Sequence, residues 1–251
     1  MVFAVPDLSS AVFWAALWKI IVANIILSGD NAVVIAMACH NLSDRYRRPA
    51  ILFGSAGAIV LRIIFCAVIG LLLAVPYLKL VGGALLFWIG VKLLIGEDEE
   101  AKIKAHDNIW AAIWTIIVAD AVMSLDNAIA IAAAAKGDFT LIVIGLVISI
   151  PIIVLGATLI SHVLDRFPWL GTVGAALIGW IAGEVMAGEG RFDQVNAAGQ
   201  LVELVKPGTI ADWLDHAIPH AEMICAVAGA GLVVLVGLLI ARLKSGQTEK
   251  G

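Results

Sequence analysis

Apolar residues in this chain come in long, almost uninterrupted runs. They do not alternate as in a half-buried strand or form the one-sided stripe of a surface helix. The runs cover about residues 12–39, 50–73, 76–95, 108–135, 139–164, 168–187 and 219–242. Each is long enough for a helix to cross roughly 30 Å of hydrocarbon. The pattern predicts an all-α polytopic membrane protein with seven transmembrane helices. Pro49, Pro76, Pro168 and Pro219 stand at the starts of runs, where a missing backbone N–H matters least. Between the sixth and seventh runs, "TIADWLDHAIP" (209–219) has the make-up of a short interfacial helix.

Composition agrees with the pattern: 62% of residues are hydrophobic and only 14% charged, far from the balance of a soluble domain. The first ten residues, MVFAVPDLSS, lack the basic flank and cleavage pattern of a signal peptide, so no removable leader accounts for the hydrophobicity. A net charge of −4 points to no particular partner, nucleic acid included. Cys39, Cys66 and Cys225 are scattered singly through apolar runs and read as packing residues. With the N-terminus outside, nine basic residues (Arg45, Arg47, Arg48, Lys102, Lys104, Arg166, Arg242, Lys244, Lys250) fall on the cytoplasmic side. Four (Lys79, Lys136, Arg191, Lys206) fall outside. Basic residues favour the cytoplasmic face, so the expectation is N-out, C-in, multi-pass, in the inner (plasma) membrane.

The chain also repeats itself. A shift of 96 residues sets "WAALWKIIVANIILSGDNAVVIA" (14–36) over "WAAIWTIIVADAVMSLDNAIAIA" (110–132), with 14 of 23 positions identical. A shift of 92 sets "PYLKLVGGALLFWI" (76–89) over "PWLGTVGAALIGWI" (168–181). Matching Trp, Asp, Asn, Ser, Pro and Gly exceed what apolar bias alone produces. The single transporter domain then divides into a first repeat (about 12–95), a cytoplasmic linker (96–107), a second repeat (about 108–187), an extracytoplasmic loop (188–218) and a seventh helix (219–242). A repeat with an odd number of crossings is followed by its copy upside down. Inverted repeats place a central site near the bilayer midplane, open alternately to each side.

The duplicated stretch carries the chemistry. Asp30 and Asp126 each lie about 18 residues into their spans, so inversion brings both to similar depth. A charge there opposes insertion by roughly 2.5–3.5 kcal/mol and needs compensation. Ser28, Gly29, Asp30 and Asn31, and Ser124, Asp126 and Asn127, include types that cap helices and tolerate unwinding, so a break is expected at each motif. Freed carbonyls would join Asp30, Asn31, Asp126 and Asn127 in an all-oxygen ligand set, with Ser28 and Ser124 beside it. That set suits manganese, magnesium or calcium better than copper or zinc. Asn24 and Asp120 form an unequal pair at equivalent positions, and Asp120 reads either as a further ligand or as a proton carrier. Arg62 lies too deep in the second span to snorkel and needs an anion. Asp30, Asp120 and Asp126 are the candidates, in a gate or in a fixed ion pair. Lys19, Lys92 and Glu184 lie nearer span ends and read as interfacial; His162 and Met123 read as packing.

These residues resemble the TerC family, in particular its YjbE-type members, within the LysE transporter superfamily. The resemblance rests on "ANIILSGDNAVVIA" and "ADAVMSLDNAIAIA", on Leu61–Arg62 inside a span, and on "DRFPW" at 165–169, and it extends over about 12–242. It implies an integral membrane manganese exporter whose metal ligands are Asp30, Asn31, Asp120, Asp126 and Asn127, with manganese(II) as cargo and no catalytic cofactor. The chain departs from the family pattern at Asn24, where an acidic residue is common.

Other readings make different demands. An amino-acid exporter of the same superfamily needs groups for an ammonium and a carboxylate, and none is identifiable; a calcium or magnesium exporter would use the same oxygens. An intramembrane aspartic protease needs a "GxGD"-like motif on one helix, not "S-x-D-N" twice, and gives the asparagines no role. A membrane scaffold predicts that neutral aspartates are harmless. The expectation is a transporter rather than an enzyme, embedded in lipid, with homo-oligomerisation left open.

Overall fold

The structure is a computed structural model that describes residues 11–27, 29–40, 42–72, 75–95, 105–135, 138–167, 169–195 and 201–248. Helices dominate it: α1 (Ala11–Leu27), α2 (Gly29–His40), α3 (Asp44–Leu72), α4 (Leu78–Ile95), α5 (Ala105–Ala134), α6 (Phe139–Arg166), α7 (Leu170–Ala187), α8 (Ile210–Ala217) and α9 (Ala221–Thr248). The architecture fits the all-α polytopic expectation, with one small two-stranded ribbon outside the spans. Arg191–Val195 (β1) and Leu201–Val205 (β2) pair antiparallel, with Asp193 opposite Glu203. Residues 188–218 carry no long apolar run, and the alternating "LVELV" satisfies its backbone by pairing. The short helix expected after it is α8.

Among the described residues, five helical stretches are long and apolar enough to cross a membrane: Arg45–Val68, Leu78–Ile95, Phe139–Arg166, Leu170–Ala187 and Ala221–Leu243. The first and fourth expected spans contribute the shorter apolar segments Phe13–Val22 and Ile109–Ser124. These are the two spans that hold the polar motifs. The expected break also needs revision. At the first motif it falls on Ser28, outside the described residues. At the second there is none, because α5 is helical from Ala105 to Ala134 without interruption. Leu125, a strong helix former, stands where the first copy has Gly29, and Ser124 spends its hydroxyl hydrogen on Asp120 one turn back. Pro49 likewise lies inside α3 rather than at its start, because the polar stretch from Asp44 adds a first turn ahead of the apolar run.

Helix directions follow from who touches whom. Gly54 and Cys66 of α3 meet Ile116 and Ala128 of α5, so these helices run parallel. Gly145 and Gly156 of α6 meet Ile20 and Ala32, so α6 runs parallel to α1 and α2. Exchanging the two halves of the chain maps the first packing onto the second, and maps α4 against α5 onto α7 against α2. Three other spans pack tightly: α4 antiparallel to α7 through Gly83 and Gly90, and α7 antiparallel to α9 through Gly179 and Gly183.

Two apolar cores result. One joins Ile20, Ile35, Ile59, Ile116, Ile142 and their neighbours on α1, α2, α3, α5 and α6. The other joins Leu86, Ile178 and Val233 with Val34 of α2 and Ala119 of α5. The motif helices α2 and α5 belong to both. Outside the bundle, Leu71, Trp88, Leu155 and Leu239 stand exposed, as a lipid-facing surface requires.

At one end of the bundle a distant carboxylate caps α4. The backbone N–H groups of Tyr77 and Lys79 donate to Glu189 at 2.9 Å, and that of Leu80 at 3.1 Å. A helix N-terminus attracts negative charge and has N–H groups to satisfy. Glu189→Ala is expected to lower stability by about 1–2 kcal/mol, as loss of a good cap does. Thermal unfolding in detergent checks this, and an unchanged midpoint would contradict the capping role.

Candidate functional site

Where α1 and α2 pass α3 and α5, five polar side chains meet in an otherwise apolar interior. Arg62 comes from α3, Asn24 and Asn31 from α1 and α2, and Asp120 and Ser124 from α5, one turn apart. All five are buried, and Arg62 is only 1% exposed. Its guanidinium uses all three nitrogens. Nε donates to Ser124 Oγ at 2.8 Å, Nη1 to Asn24 Oδ1 at 2.5 Å, and Nη2 to Asp120 Oδ1. Of the three carboxylates considered for Arg62, Asp120 forms an ion pair with it, and the side chain of Asp126 lies outside the described residues.

Asp120 accepts two further hydrogen bonds. Its Oδ1 also accepts from Asn31 Nδ2 at 2.9 Å, and Oδ2 accepts from Ser124 Oγ at 3.0 Å. Asn24 and Asp120 occupy equivalent positions of the two repeats and differ in charge, and Arg62 bonds to both. Asn24 brings no charge, so among the described members of the cluster one carboxylate stands against one guanidinium, a balance that the low-dielectric interior favours.

Asn31 faces two ways. While its Nδ2 holds Asp120, its Oδ1 is buried with no hydrogen-bond partner among the described residues. A buried, unmatched carboxamide oxygen is unfavourable and calls for a donor or a cation. Asp30 precedes it, half-buried, and accepts the Asn31 backbone N–H at 2.9 Å. The charges of Arg62 and Asp120 both act on the Asp30 carboxylate. Asn127 lies half-buried one turn beyond Ser124 on α5. Ser28 and the side chain of Asp126 lie outside the described residues. Among the described residues, no three His, Cys, Asp or Glu side chains converge to hold a metal ion. Oxygens of mixed type, carboxylate and carboxamide, are what this region offers a hard cation.

A second polar cluster lies at the far ends of α2 and α6. Arg47 Nη1 pairs with Asp165 at 2.5 Å, and Nη2 donates to the carbonyls of His40 and Leu42 at 3.1 and 3.4 Å. His40 Nδ1 sits 3.3 Å from the same carboxylate. Asp165 belongs to the "DRFPW" stretch, which shows how that motif ties the end of one repeat to the other. Neither this cluster nor the Glu189 cap was legible as a pairing, because the partners lie more than a hundred residues apart. Met123 is buried in the core and His162 is exposed with Nδ1 on Thr158 O at 2.7 Å, so neither approaches the cluster around Arg62. Glu184 accepts from Trp180 Nε1 at 2.7 Å.

The sequence matches a family profile described as "Integral membrane protein TerC family" over residues 9–245. It is 40% identical to the "Uncharacterized membrane protein YjbE" of Bacillus subtilis over 192 residues, 76% of this chain and 88% of that protein. It is 28% identical to the "Uncharacterized membrane protein YceF" of the same organism over 185 residues, 70% of this chain and 72% of the other. A "Tellurium resistance protein TerC" of Alcaligenes sp is 34% identical over 84 residues, 32% of this chain and 24% of that one. No solved structure matches.

Proposed function

The chain belongs to the TerC family of integral membrane proteins, and on that premise we propose that it is a secondary transporter exporting a divalent cation, manganese foremost, from the cytoplasm. The observation that carries this reading is the buried Asn31 Oδ1, an acceptor with no partner among the described residues, beside the half-buried Asp30. Its repeat-equivalents are Asp126 and Asn127.

Charge arithmetic supports a divalent cargo. Asp30 and Asp126, one from each motif, would together bring the two negative charges that one M²⁺ balances. Asp120 holds the site's geometry through Asn31, and its Oδ2, with one hydrogen bond from Ser124, keeps acceptor capacity for a cation. The α1–α2 segment and α5 each count as one crossing, which gives seven, N-out and C-in. The parallel packing of α3 on α5, and of α6 on α1 and α2, is what an inverted pair of three-helix repeats produces. Because the motif helices belong to both apolar cores, movement of one core against the other would open the site to either side. Protonation of Asp30 and Asp126 competes with metal binding, so exchange for protons fits the same ligands.

The test is manganese uptake into everted membrane vesicles. Asp30→Asn and Asp126→Asn are each expected to reduce uptake by about tenfold or more, a loss of at least ~1.4 kcal/mol of binding. Asn31→Leu, which removes the neutral ligand, should reduce it less than either aspartate change. Full uptake in both aspartate variants would sink the site.

A further inference from the structure

Two hydroxyls in the apolar interior forgo the partner that a helix offers them. Ser149 and Thr158 of α6 donate to the carbonyls four residues back, at 2.8 and 2.7 Å. That is the ordinary recourse of a helical hydroxyl away from water. Ser161 on the same helix and Ser55 on α3 do not take it. Each is 1% exposed, and neither Oγ has a hydrogen-bond partner among the described residues. A buried hydroxyl in this state is unfavourable and calls for a polar partner.

The two hydroxyls lie in line with the cation site. Ser55 stands seven residues before Arg62, so the two share a face of α3 about two turns, or 10 Å, apart. Asn24 meets Arg62 toward one end of α3, and the carbonyls of His40 and Leu42 meet Arg47 at the other. The α1–α2 segment is therefore antiparallel to α3, which sets Ser55 about level with Asn31. Ser161 lies one turn before Asp165 on α6, and Asp165 pairs with Arg47. Where α2 and α6 end and α3 begins, the bundle is rich in arginine: Arg45, Arg47, Arg48 and Arg166. From that end inward the order is Arg47 with Asp165, then Ser161, then Ser55 beside Asn31.

We propose that the seam between α2, α3 and α6 is the cytoplasmic half of the cation's route, with Ser161 and Ser55 as its polar waypoints and the Arg47–Asp165 pair as the latch at its mouth. The route rests on the export reading for its cargo and for which face is cytoplasmic. A hydroxyl both donates and accepts, so it can bond a metal-bound water or turn its oxygen to the ion. It adds no charge, and a waypoint must hold its ion weakly enough to pass it on. The seam is shut here: Ile51 and Ala157, one turn before Ser55 and Ser161, are fully buried. Arg47 is tucked in at 14% exposure and Asp165 is 40% exposed, which sets the pair between seam and solvent. Arg47 Nη1 holds α6 and Nη2 the end of α2, so one side chain of α3 fastens all three walls. Because α2 is shared by both apolar cores, its displacement opens the seam once the latch lets go.

Ser55→Cys and Ser161→Cys, each a one-atom exchange that reports alone, test the route in the full chain. Everted and right-side-out vesicles are treated with 2-(trimethylammonium)ethyl methanethiosulfonate, a cationic thiol reagent that does not cross membranes. The adduct is read by mass on the peptide that carries the new cysteine, so Cys39, Cys66 and Cys225 stay in place. Modification should proceed in everted vesicles and not in right-side-out ones. Adding Asp165→Asn should speed it about two- to fivefold, as loss of a part-exposed ion pair shifts the seam toward its open form. No modification of either cysteine from the everted side, even with Asp165→Asn, overturns the route, as does equal modification from both sides. A rate that Asp165→Asn leaves unchanged overturns the latch. Labelling needs no manganese. Sided labelling in a chain that takes up no manganese therefore supports the route and fails the export reading, and uptake without labelling fails the route alone.

Discussion

Asp120→Leu alone is expected to lower the stability of this protein by about 3–5 kcal/mol, whereas Arg62→Met combined with Asp120→Leu recovers most of the loss. The reason is burial. Arg62 is 1% exposed and Asp120 7%, so removing the carboxylate takes the paired anion from a buried guanidinium, which keeps its bonds to Ser124 and Asn24. Neutral hydrogen bonds satisfy its N–H groups but not its charge, and hydrocarbon offers no water to do so. When both charges go, similar-sized apolar side chains fill the space at little penalty. Thermal unfolding in detergent reads the difference, at roughly 2–4 °C per kcal/mol for a chain of this size. A double variant no more stable than the single one would show that the two charges are not a coupled unit. Manganese uptake by the double variant then separates the two roles open to Arg62: retained transport makes the pair a structural fixture, and lost transport makes it part of the gate.

The second large effect lies at the contact of α7 with α9. A Cβ at Gly183 would fall 2.1 Å from the carbonyl oxygen of Cys225 and 2.6 Å from its carbon, and one at Gly229 2.2 Å from Gly179 O. The two backbones touch. Gly179 and Gly183 are four apart, so they share a helix face, and small residues at this spacing let membrane helices approach closely. The obstacle is main chain, which cannot swing aside as a side chain can. Gly183→Leu must therefore push α9 away from α7, and the expected loss lies at or beyond the upper end of the roughly 1–3 kcal/mol typical of overpacking. Gly231→Ala is the control. Nothing lies within 4 Å of its would-be Cβ, and alanine should stabilise α9 by up to about 1 kcal/mol through helix propensity. Equal melting points for the two variants would contradict the close approach.

Asn24 illustrates how far local reading reaches. In sequence it is an anomaly, a neutral residue at a position equivalent to Asp120. In the fold, its Oδ1 takes one nitrogen of Arg62 while Asp120 takes another, and the asymmetry becomes a charge balance of one anion to one cation. The departure from the family pattern and the arginine inside a span are thus one feature. The 96-residue shift pairs Asn24 with Asp120, but no spacing in the chain connects either with Arg62.

Hydropathy alone placed this chain in a membrane, because a bilayer leaves only long apolar helices or closed barrels as ways to satisfy a spanning backbone, and both are written locally. Sequence identity between the two "S-x-D-N" stretches fixed which polar residues correspond, and the amphipathic "TIADWLDHAIP" foretold α8. Tertiary structure alone decided that Asp120 pairs with Arg62, that α5 passes its motif unbroken, that β1 and β2 pair, and that Glu189 caps a helix 110 residues before it. Each of these depends on how one helix is rotated and set against another. That rotation comes from packing at glycines and small side chains across the interface, and in helices apolar on nearly every side the hydrophobic pattern does not record it.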